Sequence, residues 1–186
     1  MKNKRDLWIM AMTSLLIAIV LFVGIGVGTR RQQQAQVQKL EDDLFHGRSE
    51  SVRHLVSATD VLSHEPNLGN TLVCGVLYCD PATVQMLIDK GVKVNSRVVS
   101  NEKETSATAT GFTAMDYAVI HRRADMVEVL LRNGADANLK TYGHSAIELL
   151  KNPPNIYIER GAKRVGTDAQ IAHLLREAQH KPAVYK

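Results

Sequence analysis

Residues 111–150 read GFTAMDYAVIHRRADMVEVLLRNGADANLKTYGHSAIELL, one whole unit of a helical repeat followed by the opening of the next. Thr113 is placed to cap a short helix whose apolar side is Met115, Ala118 and Val119. A second helix follows, with Met126, Val127, Leu130 and Leu131 at helical spacing. Gly134 stops it, because a residue without Cβ suits the left-handed position after a helix. The chain then starts again, with Gly143, Ser145 and Ile147 echoing Gly111, Thr113 and Met115.

This pattern resembles the ankyrin repeat. GFTAMDYA stands where that family opens with Gly-x-Thr-Pro-Leu-His-x-Ala, and VEVLLRNGADAN matches its second-helix ending. Two residues depart from the family's pattern: Asp116 stands where His is usual, and Arg122 where Gly is usual. The resemblance covers roughly residues 40–178. It implies an all-α ankyrin-repeat solenoid of about four helix-turn-helix units, in which partners meet the fingers between units and the exposed end of each first helix.

Upstream, residues 70–95 (NTLVCGVLYCDPATVQMLIDKGVKVN) form the preceding unit. Asp80 is a helix cap and Pro81 suits the first helical position, where its missing N–H is not needed. Val84, Leu87 and Ile88 make the buried stripe, and Gly91 ends the helix. With Gly91 laid on Gly134, Leu72, Gly75 and Val76 fall on Met115, Ala118 and Val119. These two glycines are 43 residues apart, about 10 more than a repeat of about 33 requires. The surplus lies in residues 96–110, so an enlarged finger is expected there.

Residues 40–58 read as a more polar helix-turn-helix, as a terminal cap should be, with Leu40, Leu44 and Phe45, a break at Gly47, then Val52, Leu55 and Val56. Downstream, Ser145 and Glu148 have capping-box spacing, and Asn152, Pro153 and Pro154 break that helix. A second helix starts at Thr167, with Gln170 placed for another capping box and Ile171, Leu174 and Leu175 as its stripe. The enlargement between them is expected at the edge opposite the fingers. Residues 180–186 read as a frayed tail.

The N-terminus has a different character. Residues 1–6 are a cationic tip, and residues 7–28 carry no charge. At about 1.5 Å per residue, this stretch spans a hydrocarbon core of about 30 Å, so one transmembrane helix is expected, with Trp8 near an interface. The alternative is a cleaved secretory signal, since Gly24, Gly26 and Gly28 are spaced like a processing site. Cleavable apolar regions are usually shorter, about 7 to 15 residues. Lys2, Lys4, Arg5 and the α-amine oppose Arg30 and Arg31, which keeps the tip in the cytoplasm. The compact leader suggests a single-pass protein of a bacterial inner membrane, with a Gln-rich tether at 29–39 and the repeat domain, residues 40–179, facing the periplasm.

The formal charge of +4 is shared between the ends and the body: three of the 23 basic and one of the 19 acidic residues lie in the tip. What remains is too even for a nucleic-acid footprint. The seven histidines have no metal-ligand spacing, and no metal site is expected. On one helix, the α-carbons of Cys74 and Cys79 would lie beyond the roughly 7 Å disulfide limit. Separate thiols are expected, unless Cys79 lies in the turn. No nucleophile elbow or phosphate cradle occurs outside the apolar segment, so neither catalysis nor a cofactor or small-molecule substrate is expected.

Binding is the better-supported reading. Just after the buried pair of the first helix come Leu77 and Tyr78 in one unit, and Ile120 and His121 in the next. As solvent-facing groups in register they suggest an anchor for a partner. Phe112 and His144, each after a finger glycine, and Tyr142 at the finger tip extend the line, while Arg122 and Arg123 adjoin it. The alternative is that Leu77 and Ile120 pack beneath the enlarged finger. The expected function is a membrane-anchored protein-binding module. Within that class we favour an immunity protein that neutralises a toxic effector, such as a secreted toxin or lipase, over an envelope scaffold for a resident complex. An enzyme hidden in the two enlargements is a third reading.

Overall fold

The computed structural model describes residues 29–64, 68–98, 111–154 and 164–180. They form helix α1 (29–45), α2 (Ser49–Ala58), a 3-10 turn (Val61–His64), α3 (Leu68–Tyr78), α4 (Pro81–Asp89), α5 (Ala114–Ile120), α6 (Ala124–Arg132), α7 (Ala146–Lys151) and α8 (Asp168–Gln179). The expected membrane-spanning helix over 7–28 lies outside the described residues, as do most of the enlarged finger and residues 181–186. Among the described residues no helix is long and apolar enough to cross a membrane.

The helix ends follow from their cap residues. The Thr113 side chain accepts a hydrogen bond from the Asp116 N–H, and the Asp116 carboxylate accepts one from the Thr113 N–H. Ser145 and Glu148 make the same reciprocal box, whereas Thr167 and Gln170 make only half of it, Thr167 accepting from the Gln170 N–H. Asp80 caps α4 with Pro81 behind it. Gly91 and Gly134 follow α4 and α6 with φ of +99° and +84°, the left-handed stop that a side chain would strain.

The helices stack in two rows. The first helices of units two to four, α3, α5 and α7, pack on one another in order, and the second helices α2, α4, α6 and α8 form the other row. Each pair α3/α4, α5/α6 and α7/α8 also packs within itself. One continuous apolar core results, from Leu40 and Leu44 on α1 through Leu72, Leu87, Met126 and Leu130 to Ile171 and Leu175 on α8. No helix pair has two faces' worth of apolar surface to bury alone, so each unit is completed by its neighbours. Residues 29–45 are one uninterrupted helix, so the division expected at 39/40 between tether and repeat falls inside α1.

Two edges tie the units together. At the finger edge, Asn95 donates to the Gly134 carbonyl and accepts from the Asp136 N–H. Arg97 reaches the carbonyls of Gly111 and Lys140 and the Thr141 hydroxyl. The two stems of the enlarged finger meet where the Val98 N–H donates to the Phe112 carbonyl. Gly111 is needed there, since a Cβ would lie 2.2 Å from the Val98 carbonyl oxygen. At the opposite edge Val165 returns from the second enlargement to pair with the turn between α5 and α6: its N–H donates to the Arg122 carbonyl, and its carbonyl accepts from the Ala124 N–H. This loop therefore rejoins the stack at the edge expected for it.

Candidate functional site

The first-helix row leaves only a narrow strip open. On α3, Thr71, Leu72, Val73, Gly75, Val76 and Leu77 are all buried, and only Cys74 and Tyr78, one turn apart, are partly exposed within that stretch. On α5 the corresponding strip is Tyr117, half-buried. Leu77, Ile120 and His121 are 3%, 2% and 2% exposed, so the expectation that they face solvent is corrected. An inner helix of a stack is covered by a helix before it, one after it and its own pair partner. The arc left open is about one residue wide and advances by four, not by one.

The aromatic residues gather along that strip in two groups. Tyr78 lies against Phe45 at 5.4 Å between ring centroids. Phe112 meets Tyr117 at 5.9 Å and Tyr142 at 5.3 Å, both edge-on. Phe45 and Tyr142 are the exposed large hydrophobic side chains among the described residues, at 58% and 62%. His144 is exposed on the same hairpin as Tyr142, where Thr141 and His144 exchange two backbone hydrogen bonds. Burial, with Cys74, Tyr142 and Asp116 nearby, pushes the Tyr117 phenol above its ordinary range. Of the expected site residues, Phe112, Tyr142 and His144 therefore share one end of the face, Tyr78 stands further along it, and Leu77, Ile120 and His121 belong to the interior. Sequence reading missed Tyr117 and the outward role of Phe45. Cys74 carried 43 residues on falls on Tyr117, although Tyr78 carried on in the same way falls on His121, which is buried.

The two arginines have other duties. Arg122 holds φ +58°, left-handed like the glycine usual at that place. Its side chain donates to Asp168 at 2.9 Å and to the Ile120 carbonyl at 2.8 Å, so it is engaged within the chain rather than held out for a partner's acid. Arg123, 1% exposed, reaches into the preceding unit and donates to the carbonyls of Val76, Leu77 and Cys79 while pairing with Asp125. Those carbonyls end or follow α3 and have no intrahelical partner of their own. The cation also suits the negative end of the helix dipole.

Asp116, in the place of the family's usual histidine, is buried and accepts from the Thr113 N–H, the Thr113 hydroxyl and the Thr141 hydroxyl. One carboxylate thus caps α5 and holds the next finger. His121 stacks on Tyr117 at 6.3 Å, and its buried Nε2 makes no hydrogen bond to another described residue. Burial, with Arg164 and Arg122 near, lowers the pKa of this imidazole. Cys74 and Cys79 are not joined in a disulfide, and burial raises the pKa of the Cys79 thiol. Among the described residues no cluster of three or more His, Cys, Asp or Glu is arranged to hold a metal ion.

A two-row helical stack with an aromatic strip on its inner face is a protein-binding scaffold in form. Residues 44–141 match the family model for ankyrin repeats (3 copies), and the chain belongs to the ankyrin-repeat family. That is a non-catalytic interaction fold. The pair α7/α8 lies beyond the matched residues, yet packs on α5 and α6 in the same manner. No curated protein matches the chain.

Proposed function

We propose that this protein is a non-catalytic binding module, anchored in a bacterial inner membrane through residues 7–28, whose periplasmic repeats capture and neutralise an incoming toxic effector. The observation that carries the binding part is the strip of Tyr78, Tyr117, Phe112 and Tyr142, ending in two large side chains left in water, Phe45 and Tyr142. Aromatic groups of this kind are what interfaces use as anchors. The membrane and immunity parts are supported by the uncharged apolar stretch at the N-terminus and by the economy of one small tethered binder.

A photo-crosslinking amino acid placed at the exposed position 144 of the full-length chain, in cells challenged with a secreted toxin or lipase as effector, tests this reading. We expect a crosslink to that effector on challenge only. Tyr142→Ala should weaken capture by about 30-fold, an anchor's worth of about 2 kcal/mol. A crosslink to a resident envelope protein in unchallenged cells would replace immunity with a scaffold. External protease that spares the repeats in spheroplasts would reverse the orientation.

A further inference from the structure

The open strip does not stop at Phe45. Between α1 and α3 lies a cleft of about 450 Å³, with Gln38, Glu41 and Phe45 on one wall and Asn70, Thr71 and Cys74 on the other. Its volume is within the range of sites that receive a side chain or small ligand. A second hollow of about 560 Å³ continues along α1 and shares Gln38 and Glu41 with the first.

The chemistry of the first cleft is one-sided. No Lys, Arg or His is among its described lining residues, while two carboxylates, Glu41 and Asp42, are. Asp42 is already engaged by Arg48 and His46. Glu41 is exposed and makes no ion pair with another described residue. Independently, the Asn70 Oδ1 is buried and accepts no hydrogen bond from another described residue. A buried carbonyl without a donor costs folding free energy, and an N–H met by a turn of the Asn70 side chain into the cleft it lines would recover it. The Phe45 ring stands beside these acceptors, more than half exposed, and braced on one side by Tyr78.

We propose that the cleft between α1 and α3 receives an arginine side chain presented by the protein partner, with Glu41 and Asn70 accepting from the guanidinium and Phe45 stacking on it. An ammonium would satisfy the carboxylate, but a planar guanidinium offers donors to two separate acceptors and a flat face to the ring. This inference rests on the reading that the inner face binds a protein, and it names one group that the partner must offer. It makes the N-terminal unit a specificity pocket rather than only a cap.

The test needs no partner. The full-length chain in detergent micelles is titrated with acetyl-arginine amide and, separately, with acetyl-citrulline amide, its uncharged isostere, and followed by NMR. Saturable shifts of the Asn70 side-chain amide and of backbone amides 41–45 and 71–74 are expected with the arginine probe and not with the citrulline one. Glu41→Gln, an exposed and isosteric change, should weaken binding about tenfold or more, and the same change at Glu177, exposed on α8, should leave it unchanged. The inference is overturned if the two probes act alike, if neither moves Asn70, or if Glu41→Gln binds as well as the parent. The outcome is separable from that of the crosslink: silence here leaves the aromatic strip's partner standing, and a lost crosslink leaves this pocket standing.

Discussion

The two edges of the solenoid use similar residues to opposite ends. At the edge where each first helix turns into its second, charged side chains are drawn inward or across to the next unit. Arg53 donates to both Asp80 oxygens and to Thr83, Arg123 to the end of α3, and Arg122 to Asp168, so three arginines join four units in sequence. Burial works against the Asp80 carboxylate, yet hydrogen bonds from Arg53 and Thr83 hold its pKa below the ordinary range. At the finger edge the ties are smaller, made by Asn95, Arg97 and Asp116, and Tyr142 is left outward, whereas Phe45 and Tyr78 stand at the turn edge, at the ends of α1 and α3. One edge closes its polar groups on the protein. The other leaves the Tyr142 ring in water.

The largest disturbance should come from Arg123→Ala. It strips three carbonyls of their donor and leaves Asp125 without its cation, and breaking such a buried arrangement costs about 3–5 kcal/mol. Urea unfolding measures it. A loss under about 1 kcal/mol would mean that the turn edge does not hold the stack. Asp116→Ala acts on the other edge, removing the cap of α5 and the tie to Thr141 at once, and should cost about 2 kcal/mol. If hydrogen exchange then rises at residues 141–145 but not at 164–166, the edges are energetically separate.

A third prediction concerns pH. His121 is buried with a lowered pKa, so the unfolded chain binds its proton more readily than the folded one. Its contribution to stability is complete above the unfolded value of about 6.5 and falls as pH drops from there toward the lower folded value. Protonation would add a third cation beside Arg122 and Arg164, with Asp168 already taken by Arg122. His121→Gln should flatten the stability profile in that window. A profile unchanged by the substitution would show that the imidazole titrates alike in both states. The smallest effect is expected at Arg122→Gly. Relief of a left-handed arginine, about 1 kcal/mol, is offset by loss of an exposed ion pair and of the bond to Ile120, leaving stability within about 1 kcal/mol of the parent. A larger loss would assign Arg122 a share in the edge comparable to that of Arg123.

Much of this architecture was legible along the chain, because it is written in local terms. Capping at Thr113, Asp80 and Ser145, stops at Gly91 and Gly134, and stripes such as Val84 and Leu87 depend on neighbours within four residues. The departure at Arg122 was legible too, as an unusual residue at a glycine's place. Its left-handed backbone was not deduced from it.

What the sequence by itself determined is the number, order and handed ends of the helices, since backbone caps and 3.6-residue periodicity act at short range. Tertiary structure alone decided which side of each helix stays in water. Leu77, Ile120 and His121 are covered while Tyr117 is only partly so and Phe45 is exposed, because exposure depends on which other helices lie alongside. It also decided that Arg123 faces inward: its acceptors lie 44 to 47 residues earlier in the chain, brought within hydrogen-bond reach only when the units stack.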